Sequence, residues 1–242
     1  MAAPGIIHDG TLFHMFVQKD FLATGAGFEY LTSQDGKVFT RVNTALEPIP
    51  QSEEAGLYDP HPSIIKGERY IAYSGTPRVV KTGNRFISQP NIYLAKSMTD
   101  SWAGPWERKG KILDHTDIAQ HHNQTNHQDY EWGIEGPQLI EFKDGKVLLN
   151  ATCFLPDVRF GLRQKVFFAL ADTPEGPYTT LGPVLTKPMG EWDSGENGHA
   201  AGVMINGMLN LFYQARSGAD VEDVPRNDWR YGIAHFNPND WS

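Results

Sequence analysis

Three short stretches place an ionisable side chain beside a turn-forming residue: Tyr58-Asp59-Pro60, Ile134-Glu135-Gly136-Pro137 and Gly198-His199. Asp193 and Glu196 lie just upstream of the last. Paired carboxyl groups are what cleavage of a glycosidic bond needs. One is held protonated to donate to the leaving oxygen, and the other is ionised to activate water or to attack. Aromatic rings beside such a pair stack on sugar rings, and Tyr58, Trp132, Trp192 and Trp229 stand near these stretches in sequence. Arg216 and His199 are further candidates for holding a polar substrate. Asp59 also suits a turn before Pro60, and Trp192 also suits a core; both readings stay open.

The elements that would position these residues repeat along the chain, and a repeat decides the fold before any local detail. A Pro or small residue opens a short apolar strand, a Gly turn follows, and an aromatic-rich strand returns. A third strand and a GPW- or GPY-like turn lead to the last. The openings are Pro4-Gly5-Ile6-Ile7, Pro62-Ser63-Ile64-Ile65, Pro137-Gln138-Leu139-Ile140 and Ala201-Gly202-Val203-Met204. The returning strands read TLFHMFVQ, RYIAYSG, KVLLNATCF and MLNLFYQAR. Asp-Gly and Asn-Gly turns between apolar runs are hairpin signals, because they accept φ > 0. The pattern predicts an all-β chain, a single β-propeller domain over 1–242 with four blades near 1–50, 58–113, 134–187 and 192–242. A β-sandwich is the alternative. The innermost strand of each blade lines a central channel, so residues just before those strands meet at one mouth.

Composition bounds the partners. The chain has 242 residues, 12% of them aromatic, with 24 Gly and 16 Pro, which suits many short strands and turns. Its net charge is −8. Its 21 basic residues are scattered, so neither nucleic acid nor an anionic membrane is an expected partner. The lone Cys153 lies in an apolar run and reads as a buried, inert thiol. The opening MAAPGIIHDG has no signal-peptide pattern, and no apolar run reaches the ~20 residues of a membrane helix. The chain as given therefore reads as cytoplasmic, or as secreted or periplasmic if a leader has been removed. His121, His122 and His127 invite a zinc reading, but no His-Glu-x-x-His pattern accompanies them.

The motifs resemble glycoside hydrolase family 43 and its relatives in the five-bladed propeller superfamily. Glu135-Gly136-Pro137 is similar to the family's EGP motif, Asp59-Pro60 to the motif of its second Asp, and Gly198-His199 to the GH motif of its final blade. The resemblance implies Glu135 as general acid, Asp59 as the residue that orients and tunes it, and His199 on the propeller axis near a bound calcium or sodium ion. It implies no required cofactor, a carbohydrate substrate, and inversion, with carboxyl groups about 6.5–9.5 Å apart.

One departure stands out. The family's first blade carries an Asp-Pro motif whose Asp is the general base, whereas Ala2-Ala3-Pro4-Gly5 resembles its second blade. The four copies then correspond to blades two to five, and the base must come from elsewhere, with Asp193 the first candidate and Glu196 the next. Three further expectations follow. Either the chain starts late, or it takes its base from another residue, or it binds sugar without cleaving it. Sheet edges left without a neighbouring blade favour a homo-oligomer. A lyase using the histidine loop and Tyr130 on a uronate is a weaker reading.

Overall fold

The computed structural model describes residues 2–19, 27–77, 80–82, 85–87, 90–118, 133–157, 161–186, 191–217 and 229–240. They form four radially arranged antiparallel sheets, the blades of a β-propeller. Blade one holds β1 (Ala2–His8), β2 (Phe13–Gln18), β3 (Phe28–Ser33) and β4 (Thr40–Leu46) in that order. In blade two, β5 (Gly56–Ile65) is innermost, followed by β6 (Glu68–Thr76), β9 (Asn91–Ser97) and β10 (Trp106–Leu113). A separate two-stranded ribbon, β7 (Val80–Thr82) and β8 (Arg85–Ile87), lies between β6 and β9 in sequence. Blade three comprises β11 (Ile134–Glu141), β12 (Val147–Asp157), β13 (Gly161–Ala171) and β14 (Thr179–Pro183). Blade four comprises β15 (Glu196–Ile205), β16 (Met208–Arg216) and β17 (Arg230–Phe236). Among the described residues no helix is long and apolar enough to cross a membrane.

Local chemistry explains the pairing. Two-residue turns close the inner hairpins of blades two and four. Lys66 and Gly67 have φ of 52° and 81°, and Asn206 and Gly207 have 51° and 77°. Turns with two positive φ values match the right-handed twist of the strands they join. Each returning strand then alternates side chains between the two faces of its blade.

Both faces of the middle blades are apolar because each packs on a neighbour, which gives three cores between four blades. Phe16, Phe28 and Tyr30 of blade one meet Leu57, Ile71, Tyr73 and Trp102 of blade two. Tyr70, Leu94 and Leu113 meet Leu139, Leu149 and Phe167 of blade three. Leu148, Val166 and Phe168 meet Leu209, Leu211 and Tyr213 of blade four. Burial at these seams supplies most of the stability, at about 25 cal/mol per Å² of apolar surface removed from water. No fourth cluster joins blade four to blade one among the described residues. The far face of blade four instead carries exposed Val203, Ile205, Phe212, Tyr231 and Ile233.

One irregularity recurs in all four innermost strands. Where β1 pairs with β2, the residues between Ala2 and Gly5 bulge outward, because two residues oppose the single Val17. The same two-against-one bulge falls on Asp59-Pro60 in β5, Gly136-Pro137 in β11 and His199-Ala200 in β15. Bulges re-aim side chains and cluster at functional ends of sheets. The structural repeat thus aligns on Pro4, Pro60, Pro137 and Ala200. The openings read from sequence at 62 and 201 are displaced from this alignment. Pro62 and Ala201 look like strand starts because apolar runs follow them, but β5 and β15 each begin several residues earlier.

Candidate active site

The bulges bring four stretches together at the axis. Pro4–Ile6, Asp59–His61, Gly136–Pro137 and His199–Ala201 line a cavity of about 370 Å³. Its lining residues are mostly proline, glycine and alanine, so few side chains can act on what enters. Those few are Asp59, His61 and His199.

Backbone geometry aims them. Asp59 has φ 50° and His199 has φ 44°, both in the left-handed region, and Gly136 has φ 58° at the equivalent place in β11. For a residue with a Cβ that conformation costs about 1–2 kcal/mol. The bulges of blades three and four are fixed from the preceding blade. The Gly136 amide donates to Ser74 Oγ of β6 at 3.0 Å. The His199 amide donates to Thr152 Oγ1 of β12 at 2.6 Å. Neither Ser74 nor Thr152 has any exposure to solvent. In the strand ladders Ser74 stands opposite Tyr58, and Thr152 opposite Glu135.

Glu135 immediately precedes the Gly136 bulge. Its Oε1 lies 3.5 Å from His199 Nε2, and its side chain keeps 16% of its exposure. Burial, and then the charge of Asp59, hold the Glu135 carboxyl well above the ordinary glutamate value. Burial pushes Asp59 upward as well, but His199, the Gly136 amide and the Ser74 hydroxyl all oppose that rise. Burial thus disfavours the ionised form of both carboxyls, and the Asp59 charge adds to that effect at Glu135. His61 is pushed down to about 4 by burial, so its imidazole is neutral at pH 7. Its Nδ1–H points at the Pro62 carbonyl, 3.1 Å away.

Glu135 stands beside the cavity rather than among the residues that line it, and several other sequence candidates do not line it either. The Asp193 carboxylate is buried and accepts a hydrogen bond from the Tyr213 hydroxyl at 2.7 Å. The Trp192 ring stacks on Tyr213, with centroids 6.0 Å apart, and packs into the core between blades three and four. Arg216 is paired with Glu196 through two nitrogens, and its guanidinium lies 4.9 Å from the centre of the Trp229 ring. Tyr58 immediately precedes the Asp59 bulge and is half-buried. Trp132, Tyr130 and the histidines at 121, 122 and 127 lie outside the described residues. Among the described residues no three His, Cys, Asp or Glu side chains converge as a metal-binding set. The described donors around His199 therefore do not by themselves make an ion site. Cys153 is fully buried and its thiol is pushed well up by that burial, which fits an inert core position.

Sequence reading passed over His61, Ser74 and Thr152. The signal for the two hydroxyls was present. Each is a polar residue near the end of an otherwise apolar second strand, RYIAYSG and LLNATCF, where a core position would call for a hydrocarbon.

Solved structures of similar shape are propeller glycosidases. An α-L-arabinofuranosidase from Lactobacillus brevis matches 98% of this chain at a TM-score of 0.64 and 14% identity, over 68% of its own length. A family 117 glycoside hydrolase from Zobellia galactanivorans matches 98% at 0.66 and 18%, over 66% of its length. An endo-arabinase from Bacteroides thetaiotaomicron matches 97% at 0.65 and 17%, over 74% of its length. At these identities the likeness establishes the fold, which is that of the β-propeller glycosidases. No family model matches the chain. No curated protein matches it either.

Proposed function

We propose that this chain carries the acid half of a glycoside-cleaving site, with Glu135 as proton donor and Asp59 as its tuning partner. The observation that supports this most directly is the electrostatic pairing of the two. Burial and the neighbouring Asp59 charge both favour the protonated form of Glu135, and a general acid must be protonated before it can act. Glu135 would pass that proton to the glycosidic oxygen as the bond to the anomeric carbon breaks. The Asp59 charge then favours the positive character that develops on the sugar ring. His199, 3.5 Å from Glu135, would hold the carboxyl in place. The solved neighbours, glycosidases by name, agree with this class of substrate. Which sugar and which linkage are acted on is set by the residues around the mouth of the cavity.

A second reading is sugar binding without cleavage, and one observation favours it. Blade one places Ala3 at the bulge position that presents Asp59 in blade two and His199 in blade four. An alanine supplies no carboxylate to activate water, and among the described residues that line the cavity Asp59 is the only acidic one. Hydrolysis of a panel of aryl glycosides (xyloside, arabinofuranoside, galactoside and fructoside) by the native chain and by Glu135→Gln separates the two. Turnover that the substitution removes supports the glycosidase. Turnover undiminished in Glu135→Gln rejects Glu135 as the acid. Sugar binding by calorimetry with no turnover in either protein establishes the binding module.

A further inference from the structure

Two hydroxyls join successive blades at the axis in the same way, and one of them reaches the acid pair. Ser74 has no solvent exposure and sits on the second strand of blade two, opposite Tyr58 in the ladder. Its oxygen accepts the Gly136 amide of blade three at 3.0 Å. Thr152 repeats the arrangement one blade on, opposite Glu135, and accepts the His199 amide at 2.6 Å. A hydroxyl that accepts from an amide still has its own proton to give. In blade two that proton is available to the Asp59 carboxylate, whose ionised form Ser74 favours. The hydroxyl thus touches both bulges: it fixes the backbone of the residue after Glu135 and holds the carboxylate that faces Glu135.

We propose that Ser74 is a positioning residue for the site, joining the Asp59 bulge to the Gly136 bulge and so holding the Asp59 carboxylate in place beside Glu135. The proposal rests on Glu135 and Asp59 being the working pair. Three features of the position support it. Burial leaves Ser74 no water to bond, so its hydroxyl is committed to these two partners. A donor to a carboxylate stabilises the ionised form, and Asp59 is the partner that must be ionised if Glu135 is to be the acid. The third is the interchange of Ser and Thr at equivalent joints, which shows that the hydroxyl is the common requirement there.

Removing the hydroxyl strips Asp59 of a donor, so its ionised form should be less favoured. The test is a ¹³C-carboxyl NMR titration of the native chain, Ser74→Ala and Ser74→Thr, with Asp59→Asn and Glu135→Gln to assign the two resonances. In Ser74→Ala the step belonging to Asp59 should rise by about one pH unit, the size expected when a charged acceptor loses one hydrogen bond. In Ser74→Thr it should stay at the native position. Should Ser74→Ala fail to fold, Ser74→Cys keeps the volume with a weak donor and should displace the step in the same direction. An Asp59 titration unchanged in the folded Ala or Cys variant overturns the proposal, since a purely structural serine would alter stability alone. The measurement needs no substrate. Undiminished turnover in Glu135→Gln would therefore remove the assigned catalytic role while leaving the titration result intact.

Discussion

Asp59 and His199 occupy the same place in their two blades. Each is the left-handed residue of the bulge in an innermost strand, with φ of 50° and 44°, and each lines the axial cavity. Blade three puts Gly136 there and displaces its functional group by one residue, to Glu135. One backbone device, repeated, thus presents an aspartate and an imidazole to one cavity and leaves a gap at Gly136 beside the carboxyl they flank. The chemistry of the site is set by which residue type each blade places on or beside its bulge.

Asp59→Asn should move the alkaline limb of activity. The Asp59 charge, after burial, raises the Glu135 carboxyl. Without that charge Glu135 should lose its proton at lower pH, and the fall in kcat/KM on the alkaline side should begin earlier. Asparagine keeps the size of the side chain and one hydrogen-bonding oxygen, so the fold should persist. A pH–rate profile on any glycoside that the chain cleaves decides it, and an alkaline limb that does not move would rule out Asp59 as the tuning residue.

Glu135→Gln should be more stable than the native chain, and increasingly so as pH rises. The native carboxyl holds its proton far above the ordinary value of 4.5, whereas the unfolded chain releases it there. Between those two values the folded state binds more protons than the unfolded one. Its contribution is complete below the unfolded value and is lost as pH rises, by at most about 1.4 kcal/mol per pH unit. Glutamine is neutral throughout and does not incur that loss. Urea denaturation of both proteins at pH 5 and pH 8 measures it. The stability difference should grow toward pH 8, and a difference independent of pH would show that Glu135 is not proton-binding in the folded state.

The four-blade repeat was legible because strand alternation, Gly turns and the GPW and GPY segments are local signals. Glu135, Asp59 and His199 were legible as a group because each precedes an apolar run, and the innermost strands that carry such runs converge in a propeller. Asp193 looked equivalent for the same reason, yet it lies before β15 begins and its carboxylate is taken up by Tyr213. Sequence proximity to a strand does not reveal which way a chain enters it. The bulge register was not legible at all. It depends on Val17, Tyr73, Ala151 and Tyr213 each opposing two residues, a cross-strand property without a signature along the chain. Ser74 and Thr152 escape a reading of the sequence because the amides they accept belong to the next blade.

Substitutions at His199 should separate backbone strain from side-chain chemistry. Asparagine tolerates the left-handed conformation, whereas a β-branched residue does not. His199→Asn should fold with nearly native stability. His199→Val should lose about 1–2 kcal/mol, which for a chain of this size lowers Tm by about 2–8 °C. Both remove the imidazole beside Glu135, so both should lose activity to a similar degree. Thermal melts and rates on the two proteins check this, and equal melting temperatures would show that the strain at 199 is absorbed elsewhere.

Gly5→Ala should damage the site from a residue with no chemistry of its own. A Cβ at position 5 would lie 2.0 Å from the Pro60 carbonyl oxygen, 2.6 Å from Pro62 Cδ and 2.9 Å from His61 Cα. All three belong to the backbone or a proline ring, so no side chain can swing away. Either β1 must retreat from β5 or the Asp59-Pro60 bulge must deform. Overpacking of this kind costs about 1–3 kcal/mol. The neighbouring Ile6→Ala, at a half-exposed side chain, should change stability much less. Because Pro60 follows Asp59 directly, Gly5→Ala should also shift the Asp59 carboxyl titration, which Ile6→Ala should leave in place. Denaturation midpoints and carboxyl titrations on the two variants test both halves. A Gly5→Ala protein with native stability and a native Asp59 titration would mean that blade one does not press on the bulge.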